Sequence, residues 1–582
     1  MASVIARAMD RGPKNKRDRY QGLFQKMKSD RSSYDDHWQQ IADFMLPRRP
    51  RFWTTDRNKG DRRNQNIIDS TGKFAHRTLS AGMHSGLTNP ARPWMKLSIP
   101  DPELRKFGPV KEWLHEVTQR MLTVFAESNL YNVLPLVYGD MGAFGTSAMG
   151  VLDDTRDLFR AYSYPIGSFC IGLDGRGLST TFAHEYEITV RQVVEQFGVR
   201  EGSTDIDWSR ISQTVKRLWD IGQFEDPVTI GWVVQPNEYR DDSKLDARFM
   251  PWASCHFELQ ADNTPGREFL RESGFRTFPL MTPRWDVTGT SAYGEDCPGM
   301  TALGDVKQLQ GEQRKKGQLL QKAVDPPLKG PSHLRQRKIS LLPGDFTATD
   351  ERTGQTGLSP IHEVRLEGFQ HITADIADVR YMIEKAFYAD LFLMLASSDQ
   401  RLGADRPTAR EIEERHEEKL LMLGPVLERT NDELLDPLVE RVFNMMDRNG
   451  LIPPPPPELQ GVKWNVEYTS ILHQAQKLVT VSVQDRFVNS IIGMAEAAPD
   501  VLHKVDWLNV VDNYGESLGV NPNIIRTNEE AQERIAEVSK QQQGMADAQQ
   551  AKDMAGAMAA AGAQAVAPDS ALDRITKGLT GA

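Results

Sequence analysis

The residues that could carry a reaction come first, and most of them fail on spacing. Asp69-Ser70-Thr71-Gly72-Lys73 has the Gly-Lys pair of a phosphate-cradling loop, but that loop needs glycine at position 67, which is Ile67, and a hydroxyl at position 74, which is Phe74. Asp69 or Ser70 reads instead as a helix N-cap. His416-Glu417-Glu418 lacks the second histidine of a zinc-protease helix, and no G-x-S-x-G elbow is present. Asp153-Asp154 and Asp241-Asp242 are carboxylate pairs without further ligands at a defined spacing, so they read as turn residues rather than a metal site. Cys170, Cys255 and Cys297 stand alone, with no CxxC spacing and no disulfide framework, and read as buried small side chains. The expectation is therefore no catalytic centre, no metal and no cofactor.

What remains is cationic chemistry. Arg48, Arg49, Arg51, Arg57, Lys59, Arg62 and Arg63 surround Phe52 and Trp53, a mixture that suits nucleic acid or, as the net charge favours, a solvated arm lying on an acidic neighbour in an oligomer. Lys307, Arg314, Lys315, Lys316 and Lys322 share one helical stretch, and Lys329, Arg335, Arg337 and Lys338 follow it. Gln400, Arg401 and Arg406, with Asp399 and Asp405 as counter-charges, lie in a polar loop from Ser397 to Pro407.

The elements that position these residues run from Pro298 to Asp447. Met300, Leu303, Val306 and Leu309 fall at helical spacing until Asp325-Pro326-Pro327, where the missing donors end the helix. A Pro/Gly-rich segment follows. Ile372, Ile376, Val379, Ile383, Phe387 and Leu391 then form the stripe of a returning helix. Beyond the polar loop, Thr408 and Glu411 make a capping box for a third helix, which Pro425 and Pro437 kink.

Upstream, helices are predicted from about Asp18 to Leu46, Asp69 to Gly86 and from Pro109 onward, with a tightly packed apolar stretch from Leu134 to Gly150. From Met149 to Trp285 the period shortens. Leu158 to Tyr164, Thr180 to Tyr186, Ile230 to Val234, Ser254 to Leu259 and Phe278 to Trp285 read as strands, interrupted by helices at Val190 to Phe197 and Ile206 to Leu218. Downstream come a stiff polyproline spacer, Pro453 to Pro457, a short strand at Trp464 to Tyr468, and helices at Leu472 to Ala497 and Val505 to Leu518. From Gln541 to Ala567 large apolar side chains are almost missing, so that stretch is either a helix completed by neighbouring copies or a mobile tail, the tail being preferred. The fold class is α+β, predominantly helical.

Composition sets the outer limits. The 582 residues exceed one simple core, and 39% hydrophobic with 26% charged residues is a globular balance. No apolar run reaches the ~18 residues of a membrane span. The N-terminus lacks the apolar core of a secretory signal, so folding in a cytoplasm is expected. The net charge is −10. A protein that grips duplex DNA is usually basic, because counterion release drives that binding, and this one is not.

At this point a resemblance carries further. Tyr293-Gly294, Pro298-Gly299-Met300, Val324-Asp325-Pro326-Pro327, Ala386-Phe387-Tyr388-Ala389-Asp390-Leu391-Phe392 and the run from Thr408 to Pro425 resemble the head-to-tail connecting, or portal, proteins of short-tailed bacteriophages. The similarity extends to Trp38, Pro47-Arg48-Arg49, Asp69-Ser70-Thr71, Gly82, Tyr138, Phe144-Gly145-Thr146, Pro453 to Pro457 and Ala475-Gln476, covering most of residues 18 to 535.

The resemblance implies a viral portal fold with wing, stem, clip and crown. N-terminal helices and the wing take 1–297, the first stem helix 298–324, the clip 325–368, the second stem helix 369–395, the tunnel loop 396–407, the kinked wing helix 408–449, the crown 450–530, and a tail or barrel segment 531–582. It also implies a ring, twelve subunits by analogy, at a capsid vertex of the virion. Double-stranded DNA would pass through it during packaging and ejection. Gln400, Arg401, Arg406, Lys307, Arg314, Lys315 and Lys316 would then line the channel. Lys329, Arg335, Arg337 and Lys338 would meet the terminase motor and later the tail adaptors, while capsid and scaffolding proteins surround the ring. The alternatives are a packaging-motor enzyme, which needs the nucleotide loop or carboxylate cluster excluded above, and a non-ring capsid protein, which has no use for a polar loop between two long helices.

Overall fold

The computed structural model describes residues 16–50, 65–101, 104, 107–199, 205–259, 269–289, 291–324, 328–329, 359–360, 367–396, 423–459, 461–470, 488, 490–491, 494, 505–511 and 528–564. It is a mixed helix and sheet protein in which helices take the larger share. Residues 1–476 form one compact unit and 477–582 another.

In the first unit, α1 (Lys16–Phe44) leads to α2 (Thr71–Leu87), β1 (Met95–Ser98), α3 (Gly108–Glu127) and α4 (Leu130–Phe144). Pro109 opens α3 at its first turn, where its missing N–H costs nothing. Gly145 ends α4 in the left-handed region at φ 74°, a conformation glycine adopts without a Cβ penalty. β2 (Ala148–Asp154) then pairs β3 (Leu158–Tyr164) antiparallel, with Ala148 opposite Tyr164. β4 (Phe169–Leu173), β5 (Ser179–Thr189), β6 (Pro227–Pro236), β7 (Trp252–Glu258) and β8 (Arg271–Phe275) form a five-stranded antiparallel meander in sequence order. Helix α5 (Gln213–Ile221) and the turns Val190–Gly198 pack Val193, Phe197 and Val215 against Ile230 of that sheet. β9 (Leu280–Met281) is the third strand beside β2.

Helix α6 (Pro298–Val324), the two-residue strands β10 (Leu328–Lys329) and β11 (Ser359–Pro360), α7 (Glu367–Ala386) and α8 (Ala389–Ala396) follow. A helix from Leu423 to Thr430 runs through a π turn, Asn431–Leu435, into α9 (Asp436–Arg448). β12 (Asn465–Tyr468) closes the unit by pairing β1. One continuous core joins Trp38 of α1 to Leu79 of α2, Val117 of α3, Tyr138 of α4, Val306 of α6, Ile383 of α7 and Val442 of α9. The second unit contains α10 (Asn528–Gln564).

Several expectations shift. The returning helix is not continuous to Leu391: it breaks at Phe387–Tyr388, where Tyr388 takes φ 53°, and resumes as α8. Phe278 to Trp285 yields only the two residues of β9, and of Ile206 to Leu218 only the part from Gln213 is helical. The kink expected at Pro437 takes the form of the π turn before it; proline has no N–H to give the preceding turn, and the widened turn absorbs that loss. The described part of Gln541 to Ala567 is helical, as suits a run rich in Ala, Gln and Met, all strong helix formers.

Candidate functional site: the paired helices and their anchors

α6 and α7 run antiparallel. At one end β10 pairs β11 just past both helices, and at the other Tyr388 lies against Trp285 and near Asp296. Val306 and Leu309 on α6, with Ile376, Val379 and Ile383 on α7, are buried at helical spacing.

A polar clasp holds the pair to the rest of the unit. The Asp69 carboxylate, just ahead of α2, accepts from Thr71 N (2.9 Å) and Thr71 Oγ1 (2.5 Å) through one oxygen. Its other oxygen accepts from Gln313 Nε2 (3.0 Å) on α6 and Arg380 Nη2 (2.7 Å) on α7. Buried Gln310 completes the clasp: its Oε1 accepts from Ile68 N (2.7 Å) and Asp69 N (2.8 Å), and its Nε2 donates to Asp69 O (2.9 Å). Burial works against the Asp69 carboxylate, but the Thr71 and Arg380 donors outweigh it and hold its pKa below the ordinary value.

Close backbone approach fixes the near end. A Cβ on Gly299, in the first turn of α6, would lie 2.2 Å from Ala143 O of α4, and one on Gly82 would lie 2.2 Å from the Phe392 ring of α8. A larger residue at either place would force the Ala143 backbone or the Phe392 ring to shift. Cys297, ahead of α6, donates Sγ to Ala143 O at 3.3 Å, and burial pushes its thiol up to about 12, so it is a packing residue and not a nucleophile.

The segment before α6 is pinned from the other side. Glu433, presented by the π turn, accepts from Arg284 N (2.8 Å) and Arg284 Nε (3.1 Å), while Arg284 also donates to Ser291 O (2.9 Å) and Gly177 O (3.0 Å). Arg429, one turn earlier, donates to Trp285 O at 2.9 Å. Three chain segments therefore meet at one buried guanidinium.

The predicted cations fall in different places. Lys307 donates to Gln40 Oε1 of α1 at 2.6 Å and sits 5.6 Å from the Phe44 ring. Arg314 and Lys315 are exposed, and Lys316 is half-buried. Lys329 belongs to β10, whereas Arg335, Arg337, Lys338, Gln400, Arg401, Arg406 and the arm from Arg51 to Arg63 lie outside the described residues. Arg49 is turned inward: it donates Nε to buried Asp140 Oδ1 (2.6 Å) and Nη2 to Ser163 Oγ (2.8 Å). Burial raises the Asp140 pKa and the facing guanidinium opposes it.

Sequence reading placed Asp69 only as a cap, and missed that it joins three helices. The signal was Gln310, a polar residue in register with Val306 on the apolar side of α6. The carboxylate pairs behave as turn residues: Asp154 Oδ1 accepts from Arg156 N at 2.7 Å and Asp241 Oδ1 from Ser243 N at 3.1 Å. All three cysteines are buried. Among the described residues no group of three His, Cys, Asp or Glu side chains is set to hold a metal, and no helix is long and apolar enough to cross a membrane.

Comparison with known proteins supplies the context. The portal protein of Salmonella phage epsilon15 is 42% identical over 535 residues, 91% of this chain and 93% of its own. The probable portal protein of Bordetella phage BPP-1 is 42% identical over 562 residues, 95% of this chain and 97% of its own. A chain from the virion of a native gene transfer agent particle aligns over 71% of this chain and 94% of its own at 8% identity, with a TM-score of 0.27. The family model for the bacteriophage head to tail connecting protein matches residues 17–525. With clasp, pair and pinned kinked helix all inside that span, the chain belongs to the bacteriophage head to tail connecting protein family.

Proposed function

We propose that this chain is a portal protein: identical copies close into a ring, twelve by analogy with the family, at one capsid vertex, and double-stranded DNA threads the ring during packaging and ejection. The near full-length likeness to two phage proteins named as portal proteins carries this reading. It favours the ring over a packaging ATPase or nuclease, and the role is structural rather than enzymatic. In this reading the sheet lobe is the wing, α6 and α7 the stem, 325–368 the clip, 396–407 the tunnel loop, 408–449 the kinked wing helix and 450–530 the crown. The virion is its location after assembly in the host cytoplasm. The clip, with Lys329, Arg335, Arg337 and Lys338, meets the terminase motor and then tail adaptors, and capsid and scaffolding proteins hold the rim.

The mechanism is physical. Phosphates follow at one charge per ~1.7 Å of duplex axis, so each contact must be weak enough to release. Gln400, Arg401 and Arg406 of the loop supply such contacts, balanced by Asp399 and Asp405. On the stem, positions 314 and 316 point about 200° apart around the helix and cannot both face one passage. Exposed Arg314 is the stem's contribution; Lys307 is committed to Gln40 and Lys316 is half-buried.

Imaging of the purified full-length chain tests the reading. Rings with a central hole are expected, whereas a compact monomer that turns over ATP would overturn it in favour of a motor. Deleting Gln400 to Ala404 is expected to leave rings intact and lower the DNA content of filled heads; loss of rings would make the loop structural.

A further inference from the structure

Beyond Gln310 the stem changes character. None of the residues from Gly311 to Val324 is buried, so this half of α6 finds little cover within its own chain. On α7 the side opposite Ile376, Val379 and Ile383 exposes Tyr381 (59%) and Met382 (53%). Two uncovered faces on one chain require either solvent or a partner.

Their charges are opposite. α6 carries five Lys or Arg against two Asp or Glu, a net +3, and α7 carries four Asp or Glu against two Lys or Arg, a net −2. The outward residue Lys315 of α6 and the outward residues Asp375 and Asp378 of α7 form no ion pair among the described residues. A face bearing Asp375 and Asp378 repels phosphate, which excludes DNA as its cover, while its complement stands on the same chain. Two different, mutually complementary patches on one chain associate head to tail, and that is the interface type that closes a ring.

The clasp gives the register. One Asp69 oxygen binds both Gln313 and Arg380, so those residues are level. In an antiparallel pair, two residues on from Gln313 brings Lys315 level with Asp378, and two residues back brings Gly311 level with Met382. A Cβ built on Gly311 meets nothing within 4 Å, which leaves a notch in the outward side of α6. Rotation about an axis parallel to the helices preserves height.

We propose that the outward side of α6 is covered by the outward side of α7 from a second copy, with Met382 seated over Gly311 and Asp378 facing Lys315. This assignment rests on the ring reading and sharpens it, since it gives Lys315 to the neighbour rather than to the passage. Tyr381 extends the same apolar contact.

The test uses Lys315→Glu, Asp378→Lys and the double variant in the full-length chain, with ring fraction against concentration read by mass photometry. Each single variant is expected to raise the concentration at which half the chains are in rings by about tenfold, and the double variant to restore it to within about threefold of the parent. Gly311→Leu separates assembly from folding. It improves the helix propensity of α6 while filling the notch, so rings should weaken while the melting temperature of the free chain holds or rises. If the single variants assemble like the parent, or the double variant is no better than the worse single, this interface is overturned and the ring stands. If the parent itself makes no rings, the ring reading falls instead.

Discussion

The five-stranded sheet and the paired helices are held by opposite means. The sheet is closed by aromatic contact: Phe169 stacks on Phe182 with centroids 5.6 Å apart, Trp232 on His256 at 5.5 Å, and Tyr164 meets His184 at 4.7 Å. It is complete within one chain. The paired helices rest on a short apolar seam, two glycine contacts and the Asp69 clasp, and their far half buries nothing of α6. Hydrophobic cover is roughly proportional to area removed from water, so the sheet lobe is expected to be the more stable of the two and the far half of the paired helices the less stable.

The sharpest way to break the comparison is at the pin between the two regions. Glu433→Ala leaves the buried Arg284 guanidinium without its carboxylate, and loss of one partner from a buried pair costs about 3–5 kcal/mol. Urea unfolding should show that loss, and a change within experimental error would mean that Arg284 finds water instead. Acid should next loosen the sheet. Burial lowers the His184 pKa to about 4 and the His256 pKa to about 3, the latter helped by Arg271. Both are lowered relative to an unfolded value near 6.5, so the unfolded chain binds more protons as pH falls from there to about 4 for His184 and about 3 for His256. Stability therefore drops on that descent by up to about 1.4 kcal/mol per pH unit for each histidine. His256→Gln should flatten the slope of melting temperature against pH; an unchanged slope would assign the acid sensitivity elsewhere.

Gly299→Ala comes third. The added methyl would meet the Ala143 carbonyl, a backbone atom that cannot swing aside, so about 1–3 kcal/mol of overpacking is expected. Calorimetry that shows no cost would mean that the start of α6 can slide on α4.

How much of this was legible depends on whether the signal was periodic. The bounds of α6 were plain because Pro298 opens it and Asp325-Pro326-Pro327 follows it, and β3 was plain because its apolar residues alternate between turns. β2 was obscured by the apolar, glycine-rich run that also holds α4, since its first four residues are all buried and leave no alternation to read. The break at Tyr388 left no trace because Phe387 and Leu391 keep helical spacing across it. The site was half legible: charged residues on α6 and the loop could be named, but the clasp could not, because nothing in local sequence says that Asp69 and Arg380 meet. That is a tertiary fact, and only the misplaced polarity of Gln310 hinted at it.

The smallest predicted effect is also the most discriminating. Asp69→Asn keeps the shape of the clasp but removes the charge that Arg380 and Thr71 address, and with Arg380 half exposed to water the loss is about 1 kcal/mol at neutral pH. The effect should be local: amides around Gln310, Gln313 and Arg380 exchange faster, while those of β5 to β7 keep the parent rate. The folded-state pKa of Asp69 lies below its ordinary 3.8, so its contribution is present above that value and fades as pH falls through the folded pKa. Parent and variant should thus differ at pH 7 and converge near the acid end. A difference that persists undiminished in acid would show that shape, not charge, holds the paired helices to α2, and would move the clasp into the same class of contact as the aromatic sheet.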